Sequence, residues 1–241
     1  MEQTEESYES TAGAPLAPSL TPNDLLGLAH GFSRILWSIP LGLFLFTGAM
    51  DFAVSLYFRL PSYIVAVLLF LWGLLGLRRV HSLSRQWTHY LHVAFLLVIL
   101  LIYFSPFVYW WTRFPEGDHF VINLFGMLLA ATWLLWSINR LAEEVAAALQ
   151  DRFFLIECRL SGWAVLALMS VPVFLYFVYA TLYAGRADIP LHRTLEDIRY
   201  FPYIQWYLAL ALLPLTLTIA IAWKTKERAL TLLRVRADKN A

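Results

Sequence analysis

The stretch that decides the fold is YLHVAFLLVILLIYFSPFVYWW, residues 90–111. It contains no Asp, Glu, Lys or Arg over its whole length. A helix needs about 20 predominantly apolar residues to cross the ~30 Å hydrocarbon core of a bilayer. The stretch therefore predicts a transmembrane helix.

Five other segments have the same character, and the six predicted spans are residues 32–50, 61–77, 90–111, 120–138, 160–183 and 203–223. The composition agrees, with 60% hydrophobic and 15% charged residues, whereas an average soluble domain has about 25% charged residues. The sequence predicts an all-α polytopic membrane protein whose six spans form three hairpins.

The positions of Lys and Arg predict the orientation. Only five of the 18 lie in segments predicted to face outward, namely Arg59, Arg113, Arg186, Arg193 and Arg199. The other 13 lie in segments predicted to be cytoplasmic, and cytoplasmic loops carry the excess of basic residues. We expect both termini in the cytoplasm and the chain in the inner or plasma membrane of the cell.

The segments outside the spans are predicted to differ in order. Residues 1–22 are acidic and polar and read as a disordered cytoplasmic tail without the pattern of a cleavable signal. Residues 23–223 form the transmembrane domain, entered through a helix start with Thr21 as cap and Pro22 at the first helical position. Residues 224–241 read as a basic amphipathic tail that can lie on an anionic leaflet, and residues 194–198 as a short outer helix.

The helix of span four is predicted to continue into the cytoplasm. Leu141, Val145, Leu149 and Phe153 recur every four residues with charged residues elsewhere around the helix. This pattern is typical of an amphipathic helix with one apolar face.

Polar groups inside the spans are sparse and neutral, and the set is Thr47, Ser105, Asn123, Thr132, Ser170, Gln205, Thr216 and Thr218. We expect them to make hydrogen bonds between helices, and the Gly73–Gly76 and Gly126–Ala130 steps to let helices approach closely. Asp51 is interfacial if span one ends at Met50 and lies in the outer leaflet if the helix continues. The lack of charged groups in spans two to six argues against an ion pump.

No cofactor and no metal site are predicted. His30 or His81 opposite His92 is the only histidine pairing that the predicted topology allows for an axially ligated haem. These positions lie at the predicted membrane interface, where histidine is common. Cys158 is the only cysteine, and it is predicted to be a buried small residue.

Enzyme motifs with a known mechanism are missing from the sequence. There is no His-Glu-x-x-His, no Gly-x-Ser-x-Gly, no phosphate-binding glycine loop and no Cys-x-x-Cys. The net charge of +1 gives no reason to expect a nucleic-acid partner. The sequence therefore favours a protein without catalytic activity.

Three functions remain open. The first is a structural or assembly subunit, or scaffold, of a membrane complex, with lipids and other membrane proteins or further copies of the chain as partners. The second is a carrier of a lipid or lipophilic substrate, for which the candidate contacts are Trp110, Trp111, Arg186, Arg193, Arg199 and Trp206. The third is a haem- or quinone-binding redox subunit that uses the histidines named above.

Overall fold

The computed structural model describes residues 20–51, 56–80, 83–114, 118–184 and 204–240. Within these ranges the chain is all α, and its helices are α1 Pro22–Asp51, α2 Leu56–Arg78, α3 Arg85–Arg113, α4 Asp118–Ala148, α5 Arg152–Ala184 and α6 Ile204–Asn240. Every predicted span falls inside one helix, apart from Tyr203, which is outside the described residues. The acidic tail before Leu20 and the predicted outer helix at residues 194–198 are also outside them.

Several of these helices are long and apolar enough to cross a bilayer. Among the described side chains, four segments meet that test: Pro22–Leu45, Arg85–Phe107, Ile122–Ala148 and Arg152–Val171. Val65–Arg78 in α2 is a shorter apolar helix. The protein is thus an all-helical, multi-pass membrane protein with helical hairpin packing.

The first helix begins where the sequence predicts. Pro22 occupies its first position, where the missing amide hydrogen has no helical partner to lose. The Asp24 amide donates to Thr21 Oγ1 at 3.2 Å, and the Thr21 amide donates back to Asp24 Oδ2 at 3.0 Å. This reciprocal pair satisfies two amides at the helix start. The helix ends at Asp51, whose side chain is not among those described.

The six helices form a ring. Each helix packs against the next one in the chain, α6 packs back against α1, and α4 also contacts α6. The packing of α1 on α2 and of α3 on α4 agrees with the predicted hairpins. The contacts of α1 with α6 and of α4 with α5 are also extensive, so the hairpins are joined rather than separate.

The buried core lies at one end of this ring. Its deepest side chains include Phe32 near the start of α1, Leu77 at the end of α2, Trp87 at the start of α3, Leu141 near the end of α4 and Phe154 at the start of α5. We call this the core end. No described side chain is buried beyond Ser38 on α1, beyond Val98 on α3 or before Ala130 on α4. Side-chain packing within the described chain is therefore concentrated in one half of the bundle.

Glycines bring α1 and α2 together. A Cβ added at Gly73 would lie 3.0 Å from the carbonyl oxygen of Gly31 and 2.8 Å from Cγ1 of Ile35. One added at Gly31 would lie 3.1 Å from the Gly73 carbonyl oxygen. Backbone atoms cannot move aside as a flexible side chain can, so this contact requires glycine on both helices. The predicted role of the Gly73–Gly76 step is confirmed, whereas at Gly126 the neighbour is the Phe104 ring.

We expect Gly73→Ala to destabilise the protein. Overpacking a close contact costs about 1–3 kcal/mol, which exceeds the roughly 1 kcal/mol that Ala gains over Gly in a helix. Thermal unfolding in detergent measures the difference. The matched control is Gly42→Ala, whose new Cβ would make an ordinary contact at 3.6 Å with Ala66 and should be neutral or stabilising. A Gly73→Ala variant as stable as Gly42→Ala would contradict the close contact.

The connection between α4 and α5 differs from the predicted continuous helix. Gln150 has φ 57°, in the left-handed region. Its amide donates to the Ala147 carbonyl at 3.1 Å, and the Asp151 amide donates to the Ala146 carbonyl at 3.2 Å. This is the Schellman pattern that ends a helix. Asp151 then starts α5 by accepting the Phe154 amide at 3.0 Å.

The prediction that Phe153 continues the apolar face of this helix is therefore wrong. Leu141 and Val145 are fully buried, but Phe153 is 88% exposed and Phe154 is 2% exposed. The turn at Gln150 interrupts the four-residue periodicity, and α5 starts with a new register. The apolar repeat in the sequence crosses this boundary without revealing it.

Gln150→Gly should stabilise the protein. A non-glycine residue in the left-handed region costs about 1–2 kcal/mol, and the greater freedom of glycine in the unfolded chain offsets part of the gain. We expect a net increase of about 0.5–1 kcal/mol in the free energy of unfolding. The control Gln150→Ala keeps the strain and should leave stability nearly unchanged. Equal stability of the Gly and Ala variants would show that the backbone at this position carries no strain.

Candidate functional site

A buried carboxylate joins α4 to α5 at the core end. Glu143 is 8% exposed. It accepts from Nη1 of Arg140, one turn earlier on α4, and from Nε of Arg159 on α5 at 2.9 Å. A buried charge is tolerated only when it is paired and hydrogen-bonded. The two guanidinium groups meet that need, so Glu143 acts as a clamp between the helices.

Two indole rings flank one side of this clamp. The Arg140 guanidinium carbon lies 5.1 Å from the ring centroid of Trp136 and 5.6 Å from that of Trp163. Both distances are within the roughly 6 Å over which a cation is attracted to an aromatic face. Because Trp136 belongs to α4 and Trp163 to α5, the guanidinium links the two helices a second time.

Four buried polar atoms of the described side chains have no hydrogen-bond partner, and they lie in this same region: Trp136 Nε1, Asn139 Oδ1, Arg140 Nε and Ser161 Oγ. A Cβ built at Gly162 would be 3.5 Å from Cβ of Asn139 and 3.9 Å from Nε1 of Trp136, which places these two residues at the α4–α5 contact. Buried polar groups are normally satisfied. All four unsatisfied buried side-chain atoms of the described residues therefore belong to residues 136–140 of α4 and to Ser161 of α5.

Polar contacts also attach α6 to this region. Asn139 is fully buried, and its Nδ2 donates to Thr218 Oγ1 on α6 at 3.0 Å and to the Leu135 carbonyl at 2.8 Å. Lys224 pairs with Glu157, and Arg228 pairs with Asp151 at 3.2 Å. These two ion pairs are partly exposed, and such pairs contribute only about 0–1 kcal/mol each.

The basic segment after span six continues α6 rather than starting a separate element. The helix runs unbroken to Asn240, Ala229 is fully buried, and Arg236 donates to the Leu20 carbonyl. Part of its charge is compensated by the acidic groups of α5 named above. The placement of this segment on an anionic leaflet remains a prediction.

The neutral polar side chains behave differently from the prediction. Ser105, Thr132, Ser170 and Thr216 each donate to a carbonyl three or four residues earlier in their own helix, at 2.7–2.9 Å. Such back-bonds satisfy a hydroxyl without a second helix. For these four residues the predicted interhelical hydrogen bonds are wrong. Thr218 does take part in one, because its Oγ1 accepts from Asn139 on α4.

The described residues do not test the candidate haem and lipid sites. His30 and His92 are both exposed, and His81 lies outside the described residues. Trp110 is 46% exposed and stacks on Phe114 with 5.9 Å between ring centroids. Trp111 and Trp206 lie in α3 and α6, but their side chains are not described, and the candidate arginines Arg186, Arg193 and Arg199 fall outside the described residues. Both sets of candidates remain predictions.

Sequence reasoning missed the clamp. Arg140 and Arg159 count only among the 13 basic residues predicted to be cytoplasmic, and Glu143 lies outside the predicted spans. The available signal was the three-residue spacing of Arg140 and Glu143, which puts opposite charges on adjacent turns of one helix. The third member comes from another helix, and no local pattern announces it. In the described ranges, no group of three or more His, Cys, Asp or Glu side chains is arranged to hold a metal ion.

Comparison with protein-family models, with curated proteins and with solved structures finds no match to this chain. The functional argument consequently rests on the geometry alone.

Glu143→Gln tests the clamp. The substitution keeps the shape of the side chain but removes the charge that Arg140 and Arg159 share. Breaking a buried ion pair costs about 3–5 kcal/mol, and because the Arg159 side chain is 58% exposed we expect the lower end, about 3 kcal/mol. The free energy of unfolding in mixed micelles measures this loss.

The control for this variant is Glu157→Gln, which breaks the exposed pair with Lys224. The Glu157 side chain is 46% exposed, so the expected loss is below about 1 kcal/mol. Equal losses for the two variants would mean that Glu143 does not bind the helices together more strongly than a surface pair does.

Proposed function

We propose that the chain crosses the membrane six times as three hairpins, with both termini in the cytoplasm. Two observations support this. The starts of α1, α3 and α5 and the ends of α2, α4 and α6 share the core end, as an up-and-down bundle requires. The 13 basic residues predicted to be cytoplasmic belong to that same end of the helices, and basic residues are enriched on the cytoplasmic side.

Cysteine labelling tests this orientation. Cys158 is the only cysteine, and it is buried, so Cys158→Ala gives a cysteine-free background. In intact cells we expect a membrane-impermeant maleimide to label Glu116→Cys and not Gln86→Cys, with both labelled after permeabilisation. Labelling of Gln86→Cys alone would reverse the orientation, and labelling of both in intact cells would overturn the hairpin arrangement.

We further propose that the protein is a non-enzymatic structural or assembly subunit of a membrane complex. The observation that carries this proposal is Phe153, which is 88% exposed in the second position of α5. Asp151 and Arg152 precede it directly, and such charges favour an aqueous level rather than the hydrocarbon. Ile156, one turn further along α5, is 62% exposed, so the ring belongs to an exposed apolar patch on one face of the helix. Contiguous patches of this kind mark surfaces that a partner covers.

The depth of Phe153 supports a protein partner over a lipid. It precedes Arg159 by six residues on one helix, which at 1.5 Å per residue corresponds to about 9 Å further from the bilayer centre. On the proposed topology this places the ring in the cytoplasm. Burial of a phenylalanine side chain contributes about 1.5–3 kcal/mol, enough for one residue to matter to a binding surface.

The test is co-purification in mild detergent followed by native mass spectrometry. We expect a second membrane polypeptide, or a second copy of the chain, at fixed stoichiometry. Phe153→Ser should remove it without lowering the thermal stability of the isolated chain, because the ring makes few contacts there. The neighbouring Phe154→Ser is the contrasting control, since Phe154 is buried and its loss should destabilise the fold. A wild-type chain that remains alone at all detergent concentrations would contradict the subunit proposal.

A carrier of a lipid or lipophilic substrate is the second candidate. An aromatic cluster at the end of the bundle opposite the core end favours it. The ring centroid of Phe107 lies 5.6 Å from that of Tyr103 and 5.5 Å from that of His119. Tyr103 is 60% exposed, so this surface is open to an acyl or polyprenyl chain. A lipid that co-purifies with wild type and disappears when Arg186, Arg193 and Arg199 become Ala would favour the carrier. For the third candidate, a reduced-minus-oxidised spectrum reports haem directly.

A further inference from the structure

The clamp carries more positive than negative charge. Arg140 and Arg159 share the single carboxylate of Glu143, and no other ion pair of either arginine is present among the described residues. The Arg159 side chain is 58% exposed, and only its Nε is used by Glu143. A guanidinium has five N–H donors, so most donors of Arg159 remain available at the surface of α5.

Apolar surface lies directly beside this charge. Trp163, four residues after Arg159 and on the same face of α5, is 57% exposed, and Leu160 is 69% exposed. Both lie at the start of the predicted span at residues 160–183. Tryptophan prefers the level of the lipid headgroups, so Trp163 marks the place where headgroup and acyl chain meet.

We propose that the surface formed by Arg159, Arg140, Trp163 and Leu160 binds one anionic phospholipid of the cytoplasmic leaflet. The headgroup phosphate lies against Arg159 and the Trp-flanked Arg140, and an acyl chain lies along Leu160 and Trp163. Basic pockets between helices on the cytoplasmic side are suited to such headgroups.

The proposed site recognises both the negative charge of the headgroup and the acyl chain of the lipid. A zwitterionic lipid offers no net negative charge to balance the excess cation, and inorganic phosphate cannot use the exposed Leu160 and Trp163. The assignment to the cytoplasmic leaflet rests on the proposed topology. Binding in detergent does not depend on that topology, so the lipid site and the orientation fail or succeed separately.

Native mass spectrometry of the purified protein, titrated with phosphatidylglycerol or phosphatidylcholine, tests the site. We expect one phosphatidylglycerol to bind more tightly than phosphatidylcholine. Arg159→Gln should weaken that binding about fivefold, the effect of one basic residue near an anionic headgroup. Glu143 keeps Arg140 as a partner in this variant, so the fold should persist, and thermal unfolding without added lipid verifies this.

Two control variants distinguish binding at this site from nonspecific attraction of anionic lipid to basic residues. Arg234→Gln removes the same charge from an exposed position on α6 and should leave phosphatidylglycerol affinity unchanged, and Arg159→Lys should retain most of it. Equal binding of the two lipids, or an undiminished affinity in Arg159→Gln, would overturn the proposal. Thermal stabilisation by inorganic phosphate equal to that by phosphatidylglycerol would overturn the lipid assignment in favour of a plain anion site.

Discussion

Backbone amides and carbonyls that enter hydrocarbon must find partners within the chain, because no water replaces a lost hydrogen bond there. This constraint fixes the all-helical architecture seen throughout the described residues. It also governs the side chains. A hydroxyl in a span needs an acceptor, and the nearest one is a carbonyl of its own helix. Ser105, Thr132, Ser170 and Thr216 all take it, so they do not link helices.

Helices whose backbone hydrogen bonds are all internal still need a favourable free energy of association. Lipid tails are as apolar as leucine, so burial of apolar surface gives little driving force inside a bilayer, and close packing and polar contacts become more important. The protein has both at the core end. Gly31 and Gly73 bring α1 and α2 within backbone contact, and Glu143 with Asn139 joins α4 to α5 and α6. The same end contains the deepest buried side chains.

The sequence predicts features whose cause is local. The helices follow from apolar length, the start of α1 from Thr21 and Pro22, and the close approach of α2 from Gly73. It does not predict where the chain changes register. Gln150 adopts the left-handed conformation that a glycine would have signalled. Because the sequence shows no glycine there, the four-residue spacing places Phe153 on the apolar face of α4. Pairings between distant residues, such as that of Glu143 with Arg159, have no local signature either.

Pairings between distant residues also change how the basic residues of this protein should be counted under the positive-inside rule. The rule counts basic residues as if each were free to face the anionic leaflet, but the described structure divides them. Lys224 pairs with Glu157 on α5, and Arg228 pairs with Asp151 at the start of α5, so both cations already have a carboxylate. Arg159 is different, because its carboxylate already serves a second arginine. A count of charges predicts the orientation, whereas the sharing of a carboxylate identifies which cation still needs a negatively charged partner.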